Sequence, residues 1–267
     1  MQKPQILLTN DDGIQSPGLW AAAEALSALG YVTVAAPREQ SSGMGRSLPG
    51  TSDGIIQPET LVVHGQEWTV YAVGGSPAQA VLHAILEIMP EPPDLVVSGI
   101  NYGENIGTGV TVSGTVGAAM EAAALGYRAL AASLQTDRQY HLSYSREIDF
   151  SAAAHFTAQF ARTLLEKEFP LDVQLLKLEV PSDATVETPW EIARLTRQRY
   201  YEALKPNRAS WDVAATVDYR EAMRLEDEPE DTDAFVMRQK RRVAVTPLSL
   251  DLTSRVELPA LEKFMRK

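Results

Sequence analysis

Segments of strand character alternate with segments of helix character through the first half of the chain, and this alternation limits the possible folds more than any other feature. The strand-like segments read ILLT, YVTVAAP, PDLVVSG and RALAASL, and the helix-like segments read SPGLWAAAEALSALG, SPAQAVLHAILEIM and SGTVGAAMEAAALG. Neighbouring parallel strands need a crossover connection, which a helix usually supplies with right-handed geometry. The order therefore predicts an α/β fold with a doubly wound, mainly parallel sheet.

Local signals place the ends of these segments. Ser16 precedes a proline, which predicts a helix with serine as its N-cap and proline at the first helical position. Gly30 and Gly126 are expected to end the first and third helices. The stretch LVVHGQEWTVYAV predicts a β-hairpin that turns near His64 and Gly65.

The second half of the chain is less regular. DFSAAAHFTAQFARTLLEKEF predicts an amphipathic helix and VQLLKLEVP a strand, whereas the acidic run RLEDEPEDTDAF is expected to form a solvated loop. FVMRQKRRVAVTPLSLDL predicts one or two strands, with the basic residues 238–242 at an exposed turn. No linker marks the change of character near residue 135. We therefore expect residues 1–135 to form the core with the functional site, and residues 136–267 to form an extension packed on it.

The composition excludes several classes of function. The net charge of −11 argues against binding of a nucleic-acid backbone, because that role needs a basic surface. The chain has no cysteine, so disulfides and thiolate metal sites are excluded and a reducing compartment is compatible with it. Neither a secretory leader nor an apolar run of about 20 residues is evident. We expect a cytoplasmic protein with no nucleic-acid or membrane partner.

Oxygen-bearing side chains follow three of the predicted strands. TNDDG comes after the first strand, APREQSSGMGRS after the second and INYGENIGTGV after PDLVVSG. An open parallel sheet binds its ligands beyond the carboxyl ends of the strands, so four side chains are expected to converge: Asp11, Asp12, Ser42 and Asn101. Two carboxylates, a hydroxyl and an amide oxygen suit Mg²⁺ or Mn²⁺ and do not suit zinc. A shared cation would also explain why two aspartates are adjacent.

The start of the third helix supplies a complementary feature. Ser113, Gly114 and Thr115 stand where free backbone N–H groups and the helix dipole favour a phosphate. A divalent cation beside a phosphate site is the equipment of metal-assisted phosphoester hydrolysis. Each motif alone also has a structural interpretation, with Asp-Asp-Gly as a turn, Ser-Gly as a helix N-cap and Asn101 as a turn residue. Their occurrence at three strand ends of one predicted edge favours the functional interpretation.

The same motifs resemble a known family. ILLTNDDGI, APREQSSG, VVSGINYGENIG, SGTVGAAMEA and VTPLSLDLT, in this order, are similar to the survival protein SurE family of 5′/3′-nucleotidases. The resemblance is close over residues 6–134 and returns near residues 243–253. It implies a Rossmann-like core with a C-terminal extension that is exchanged between the subunits of a homodimer or homotetramer. It also implies hydrolysis of nucleoside monophosphates to nucleoside and phosphate, with other phosphoesters or short polyphosphate as further substrates.

Individual residues receive expected roles. The ligands of one divalent cation per subunit that the resemblance implies are Asp11, Asp12, Ser42 and Asn101. We expect Asp11 and Asp12 to be the catalytic residues, with Asp12 as the base toward water. Contacts to phosphate or substrate are expected from Asn10, Gly43, Asn105, Ser113, Gly114 and Thr115. Where the family commonly has Gly-Thr-Pro and then Asp-Cys, this chain has GGSPAQAV, so that an uncharged Gln79 stands in this segment.

Other functions fit the motifs less well. A non-enzymatic sensor of nucleotides or metal on the same fold is the alternative, since a fold alone does not determine a function. GTSDG at residues 50–54 fits Gly-x-Ser-x-Gly, but it does not stand between a strand and a helix as a hydrolase nucleophile does. The first strand is not followed by Gly-x-Gly-x-x-Gly, and no P-loop lysine is present. The four histidines are expected to be structural, so the general acid is unassigned.

Overall fold

A nine-stranded sheet forms the centre of the structure. The computed structural model describes residues 3–63 and 65–266. In chain order the strands are β1 (Gln5–Thr9), β2 (Tyr31–Pro37), β3 (Ile56–Val63), β4 (Gln66–Val73), β5 (Leu95–Tyr102), β6 (Ala129–Leu134), β7 (Leu175–Val180), β8 (Trp190–Ile192), β9 (Tyr201–Leu204), β10 (Asp218–Glu221) and β11 (Val243–Leu248). The large sheet has the spatial order β3-β4-β2-β1-β5-β6-β7-β11-β8, and β9 and β10 pair separately.

Six α-helices accompany the strands in the described part of the chain. They are α1 (Pro17–Ser27), α2 (Pro77–His83), α3 (Gly114–Ala124), α4 (Ser151–Glu166), α5 (Asp233–Arg238) and α6 (Leu258–Met265). A π-helical turn, Ala84–Ile88, continues α2, and short 3₁₀ helices lie at Gly107–Thr111 and Arg138–Tyr140. None of the helices in residues 3–63 and 65–266 combines the length and the apolar character needed to cross a bilayer.

The strand directions confirm the predicted fold class. β4, β2, β1, β5, β6 and β7 run parallel to one another in the sheet. The antiparallel pairs of this sheet are the β3–β4 hairpin and the pair of β11 with β7. The structure is therefore a mixed α/β fold with a large, mostly parallel central sheet.

Helices cover both faces of the sheet. Successive side chains of a strand point to opposite faces, so Ile6 and Leu8 pack into one apolar cluster and Leu7 into another. The first cluster also contains Leu19 of α1 and Phe156 of α4, whereas the second holds Val81 of α2 and alanines of α3. Parallel strands buried on both faces explain the continuous apolar runs in the sequence.

The expected helix and hairpin boundaries agree with the structure to within a few residues. Ser16 is the N-cap of α1, although the helix ends at Ser27, before Gly30. Likewise α3 ends at Ala124, and Gly126 follows with a φ of 88°. The hairpin of β3 and β4 is present, while His64, at its predicted turn, lies outside the described residues.

The second half departs in part from the expectations. FVMRQKRRVAVTPLSLDL contains one strand, β11, in line with the expected one or two, but its first residues belong to the short helix α5. The acidic run is not wholly solvated, because Asp233 is fully buried and Glu228 is 5% exposed. Burial of Asp233 is tolerated because its carboxylate accepts hydrogen bonds from three backbone N–H groups and from Lys177.

The extension joins the core through the sheet. Residues beyond 135 supply β7, β8 and β11, so both halves of the chain contribute to one sheet. The division at residue 135 stays a prediction. The ribbon of β9 and β10 and its connecting loop stand apart from the large sheet, and Trp211 in that loop is 95% exposed. Helix α6 has no buried residue, and Phe264 and Met265 on it are each 75% exposed.

Candidate active site

A tight turn at the carboxyl end of β1 presents the adjacent aspartates. Asn10 uses both atoms of its amide on this turn, since Nδ2 donates to the Gly13 carbonyl oxygen and Oδ1 accepts from the Gly13 N–H, each at 3.1 Å. Gly13 has a φ of 99°, which is costly for residues with a side chain. Asp11 and Asp12 stand inside the turn and are only 4% and 1% exposed.

The start of α3 holds Asp11. The Thr115 hydroxyl donates a hydrogen bond to Oδ1 of Asp11, and the Ser41 N–H donates to the Asp11 carbonyl oxygen at 2.7 Å. Gly114 allows this approach, because a Cβ at that position would lie 2.6 Å from the Cβ of Asp11. The helix start and the strand end are therefore in direct contact.

Asp12 is held by neutral donors. Its Oδ2 accepts from the Tyr102 N–H at 3.2 Å and its Oδ1 from Nε2 of Gln40 at 3.4 Å. The Tyr144 hydroxyl donates to its carbonyl oxygen at 2.9 Å. Both aspartates are therefore fixed in place by groups without formal charge.

The aspartate pair is electrostatically strained. Burial raises the pKa of Asp11, and hydrogen bonds from Thr115 offset part of the rise. Burial and then the charge of Asp11 raise the pKa of Asp12 well above its ordinary value. Two buried like charges are unfavourable unless one carboxyl group takes up a proton or an opposite charge joins them. A cation beside Asp11 and Asp12 would therefore offset the repulsion between the two carboxylates.

A cavity of about 720 Å³ opens in front of these strand ends. Six of the residues expected in the site line it: Asp11, Ser42, Gly43, Asn101, Asn105 and Ser113. The other four, Asn10, Asp12, Gly114 and Thr115, are buried next to that wall. The ends of β1 and β5, the loop after β2 and the start of α3 thus meet at one cavity. The functional roles of these residues stay predictions.

Asn101 and Ser113 have defined orientations in the cavity wall. Nδ2 of Asn101 donates to the carbonyl oxygens of Gly103 at 2.7 Å and of Tyr102 at 3.3 Å, so the NH₂ group is tied to the backbone. Oδ1 is then the amide atom available to a ligand. The Ser113 Oγ accepts from the Val116 N–H at 3.0 Å and is the N-cap of α3. Ser113 therefore caps α3, as its structural interpretation predicts, and it also lines the cavity.

A buried charge cluster of Lys177, Glu179 and Asp233 holds Asn105 in the wall. Lys177 Nζ donates to both carboxylates and to the Asn105 carbonyl oxygen at 2.9 Å, and the Asn105 N–H donates to Glu179 at 3.0 Å. All three charged side chains are completely buried. Burial raises the pKa of Glu179 to about 7, while Lys177 opposes the rise. The Asn105 side chain reaches the Ser133 hydroxyl at 2.9 Å.

The departure at Gln79 has a structural explanation. Ser76 and Gln79 form a capping box at the start of α2, in which each side chain bonds the backbone N–H of the other. Gln79 also donates to the Pro49 carbonyl oxygen and accepts from Ser52 of GTSDG. Ser52 is therefore engaged in a loop contact.

Several cavity residues were missed by the sequence analysis. Glu104, His141, Arg199, Tyr201 and Tyr219 line the cavity with the expected residues. A signal for the tyrosines was present, since YYEAL and VDYREA alternate in the manner of short strands. Nothing local marked His141, because it reaches the cavity only through the tertiary fold.

Comparisons with known proteins identify the family of this chain. A family model described as "Survival protein SurE" matches residues 6–202, more than half of the chain. The 5′-nucleotidase SurE of Thermococcus gammatolerans is 40% identical, over 98% of this chain and 96% of that protein. The 5′-nucleotidase SurE of Methanocaldococcus jannaschii is 38% identical, over 98% and 97%. The crystal structure of the SurE protein from Aquifex aeolicus covers 99% of this chain and 100% of that one, with a TM-score of 0.74 and 30% identity. The chain belongs to the SurE family.

Proposed function

We propose that this protein is a 5′-nucleotidase, which hydrolyses nucleoside 5′-monophosphates to nucleoside and phosphate with the help of one divalent cation per subunit, Mg²⁺ or Mn²⁺. Nucleoside 3′-monophosphates and short polyphosphate are further candidate substrates. One observation carries the proposal: a buried, mutually repelling aspartate pair lies beside the start of α3 at a cavity large enough for a nucleotide. The names of the relatives supply the substrate class.

The residues at the cavity fit a hard divalent cation. Asp11 and Asp12 supply carboxylates, Ser42 an exposed hydroxyl and Asn101 an amide oxygen whose NH₂ group is already bound elsewhere. Within residues 3–63 and 65–266 no group of three His, Cys, Asp or Glu is placed to hold a metal, so a thiolate or imidazole site is not an alternative there. An all-oxygen set favours Mg²⁺ or Mn²⁺.

The roles of the protein groups follow from their positions. A bound cation would polarise a phosphoryl oxygen and lower the pKa of water. Asp12, held by Tyr102 and Gln40, is positioned to accept a proton from the attacking water. The free N–H groups at the start of α3 would stabilise charge on the equatorial phosphoryl oxygens. Asn105 and Gly43 would contact the phosphate from the cavity wall, with Asn10, Gly114 and Thr115 expected to complete its surroundings.

The direct test is phosphate release from a nucleoside 5′-monophosphate with Mn²⁺ or Mg²⁺, with and without a chelator. We expect release that depends on the cation. Asp11→Asn and Asp12→Asn should each lower kcat by about 100-fold or more with the fold retained. Asp172→Asn, at an exposed turn before β7, is the matched control and should leave kcat unchanged. Full activity of either site variant would exclude a cation mechanism at this position.

The same assay decides between the enzyme and a non-enzymatic sensor. Binding of a mononucleotide without phosphate release from any phosphoester would favour the sensor. Homodimeric or homotetrameric assembly through exchange of the C-terminal extension is part of the proposal, and the exposed apolar side chains of α6 support it. A cytoplasmic location is proposed as well, since the absence of cysteine suits a reducing compartment.

A further inference from the structure

One wall of the cavity is formed by the ribbon of β9 and β10. The register pairs Tyr219 with Ala203 and Glu221 with Tyr201, so Tyr201, Ala203 and Tyr219 share one face of the ribbon. All three of these residues line the cavity, and so does Val217, two residues before Tyr219. The alternate residues Glu202 and Arg220 form an ion pair on the other face. The ribbon therefore turns its apolar and aromatic face toward the cavity.

Two rings of this wall form a continuous surface, which we call the aromatic platform. Nδ1 of His141 and the hydroxyl of Tyr219 are 3.0 Å apart, and the two ring planes differ by 15°. Hydrogen-bonding atoms of both side chains lie in the planes of their rings. The rings therefore lie side by side, with centroids 6.3 Å apart, and do not cover each other. The Tyr201 ring stands nearly perpendicular to both, at 71° and 83°.

The aromatic platform is fixed from several sides. The guanidinium of Arg138 lies 4.8 Å from the centre of the Tyr219 ring and forms an ion pair with Asp218. Nε2 of His141 is 3.3 Å from the Thr136 carbonyl oxygen. Both ring nitrogens of His141 therefore have partners in the protein, and the ring is held in place before a ligand binds.

Two unpartnered polar atoms belong to the same wall. Oε2 of Glu104 and the hydroxyl of Tyr201 are buried without a hydrogen-bond partner, and both residues line the cavity. Oε1 of Glu104 accepts from the Tyr200 hydroxyl, so the carboxylate is oriented. Buried polar atoms without partners are rare in folded proteins, and each calls for an explanation such as a functional role or a bound water. Both atoms lie behind the cavity surface, so the aromatic rings are the part of this wall that a ligand would contact.

We propose that the aromatic platform of His141 and Tyr219, with Tyr201 as its side wall, binds the base of the mononucleotide by stacking. This inference rests on the proposed function, because it assigns the part of the cavity that the phosphate does not need. A cavity of about 720 Å³ is much larger than a phosphate ion requires, and it extends from Asp11 to the ribbon. Stacking of a base on an aromatic side chain contributes enough to change affinity about tenfold or more.

The test compares adenosine 5′-monophosphate with ribose 5-phosphate, in which an anomeric hydroxyl replaces the base. The measured quantity is the ratio of their kcat/KM values. Tyr219→Leu should lower this ratio about tenfold or more, mainly through KM of the nucleotide. Tyr219→Phe keeps the ring and should restore the ratio to within about threefold. Arg220→Leu, on the other face of the ribbon, is the matched control and should leave the ratio as in the wild type.

Each outcome separates this inference from the proposed function. If the wild type releases phosphate from neither compound, the proposed function fails, and the platform is then judged by the Kd of adenosine measured by calorimetry on wild type and Tyr219→Leu. If Tyr219→Leu loses activity equally on both substrates, or on neither, the stacking role is overturned while the nucleotidase stands. Should Tyr219→Leu not fold, as judged by thermal melting, His141→Leu replaces it with the same expected change in the ratio.

Discussion

At the scale of single residues, Asp11 and Asp12 show what a short motif can and cannot reveal. Their adjacency after an apolar strand was enough to predict a cation site at the end of β1. Their depth was not predictable, because burial depends on Thr115 and on the backbone of Tyr102, which are distant in sequence. The role of Asn10 was not predictable either. Its amide closes the turn, and no local sequence pattern distinguishes such a residue from one that contacts a ligand.

The strain between the aspartates predicts a gain in stability when one charge is removed. A carboxyl group whose pKa is raised by folding binds its proton more tightly in the folded state. The unfolding free energy of the cation-free wild type should therefore fall as the pH rises from about 3.9, the pKa of Asp in an unfolded chain, through the raised value. Asp12→Asn should stabilise the cation-free protein at pH 7 by about 1 kcal/mol.

Chemical denaturation with chelator present, at pH 7 and at about pH 4, measures this effect. The difference in unfolding free energy between Asp12→Asn and the wild type should shrink at the lower pH, because Asp12 of the wild type is then protonated and uncharged. Asp172→Asn provides the exposed control and should not change stability at either pH. An unchanged or lower stability of Asp12→Asn at pH 7 would contradict the proposed repulsion.

At the scale of elements, the loop after β5 is positioned by strands and helices that come much later in the chain. The alternation of VQLLKLEVP suggests that Lys177 and Glu179 face solvent, yet both are completely buried. Their partner Asp233 belongs to the acidic run, 56 residues beyond Lys177. A buried charged residue is detectable only when its partner is known, so the sequence could not reveal the buried charge cluster.

Removal of Lys177 from the buried charge cluster should lower the unfolding free energy. Lys177→Met leaves two buried carboxylates without their cation and removes the hydrogen bond to the Asn105 carbonyl oxygen. We expect a loss of about 3–5 kcal/mol in unfolding free energy, measured by urea denaturation. Lys205→Met, on an exposed residue after β9, is the matched control with no expected effect. A loss below about 1 kcal/mol would show that the cluster is not needed to hold this region.

At the scale of the whole molecule, the order of strands and helices was predictable for the first half and only in part for the second, where α4 and β7 match the predicted helix and strand. Apart from the β3–β4 hairpin, residues 5–134 form parallel strands with helical crossovers, and local periodicity signals both. The ribbon of β9 and β10 consists of four-residue strands, and α5 has only six residues, so each gives a weak periodic signal. These short elements depend on contacts with the core.

The C-terminal helix predicts assembly. Leu258, Leu261, Phe264 and Met265 form an exposed apolar stripe on α6, which a partner subunit would cover. Light scattering after gel filtration should give the mass of a dimer or tetramer for the wild type. Leu261→Glu combined with Phe264→Glu should give a monomer, whereas Glu262→Gln on the same helix should not. A monomeric wild type, or an unchanged mass of the double variant, would refute assembly through α6.

The loop between β9 and β10 has one practical consequence. Trp211 is almost fully in solvent, whereas Trp20 and Trp68 are partly covered and lie edge to face, 6.2 Å apart. A polar quencher such as iodide would therefore extinguish the emission of Trp211 before that of Trp20 or Trp68. Trp211 is thus an intrinsic fluorescent reporter of the loop between β9 and β10, which needs no attached dye.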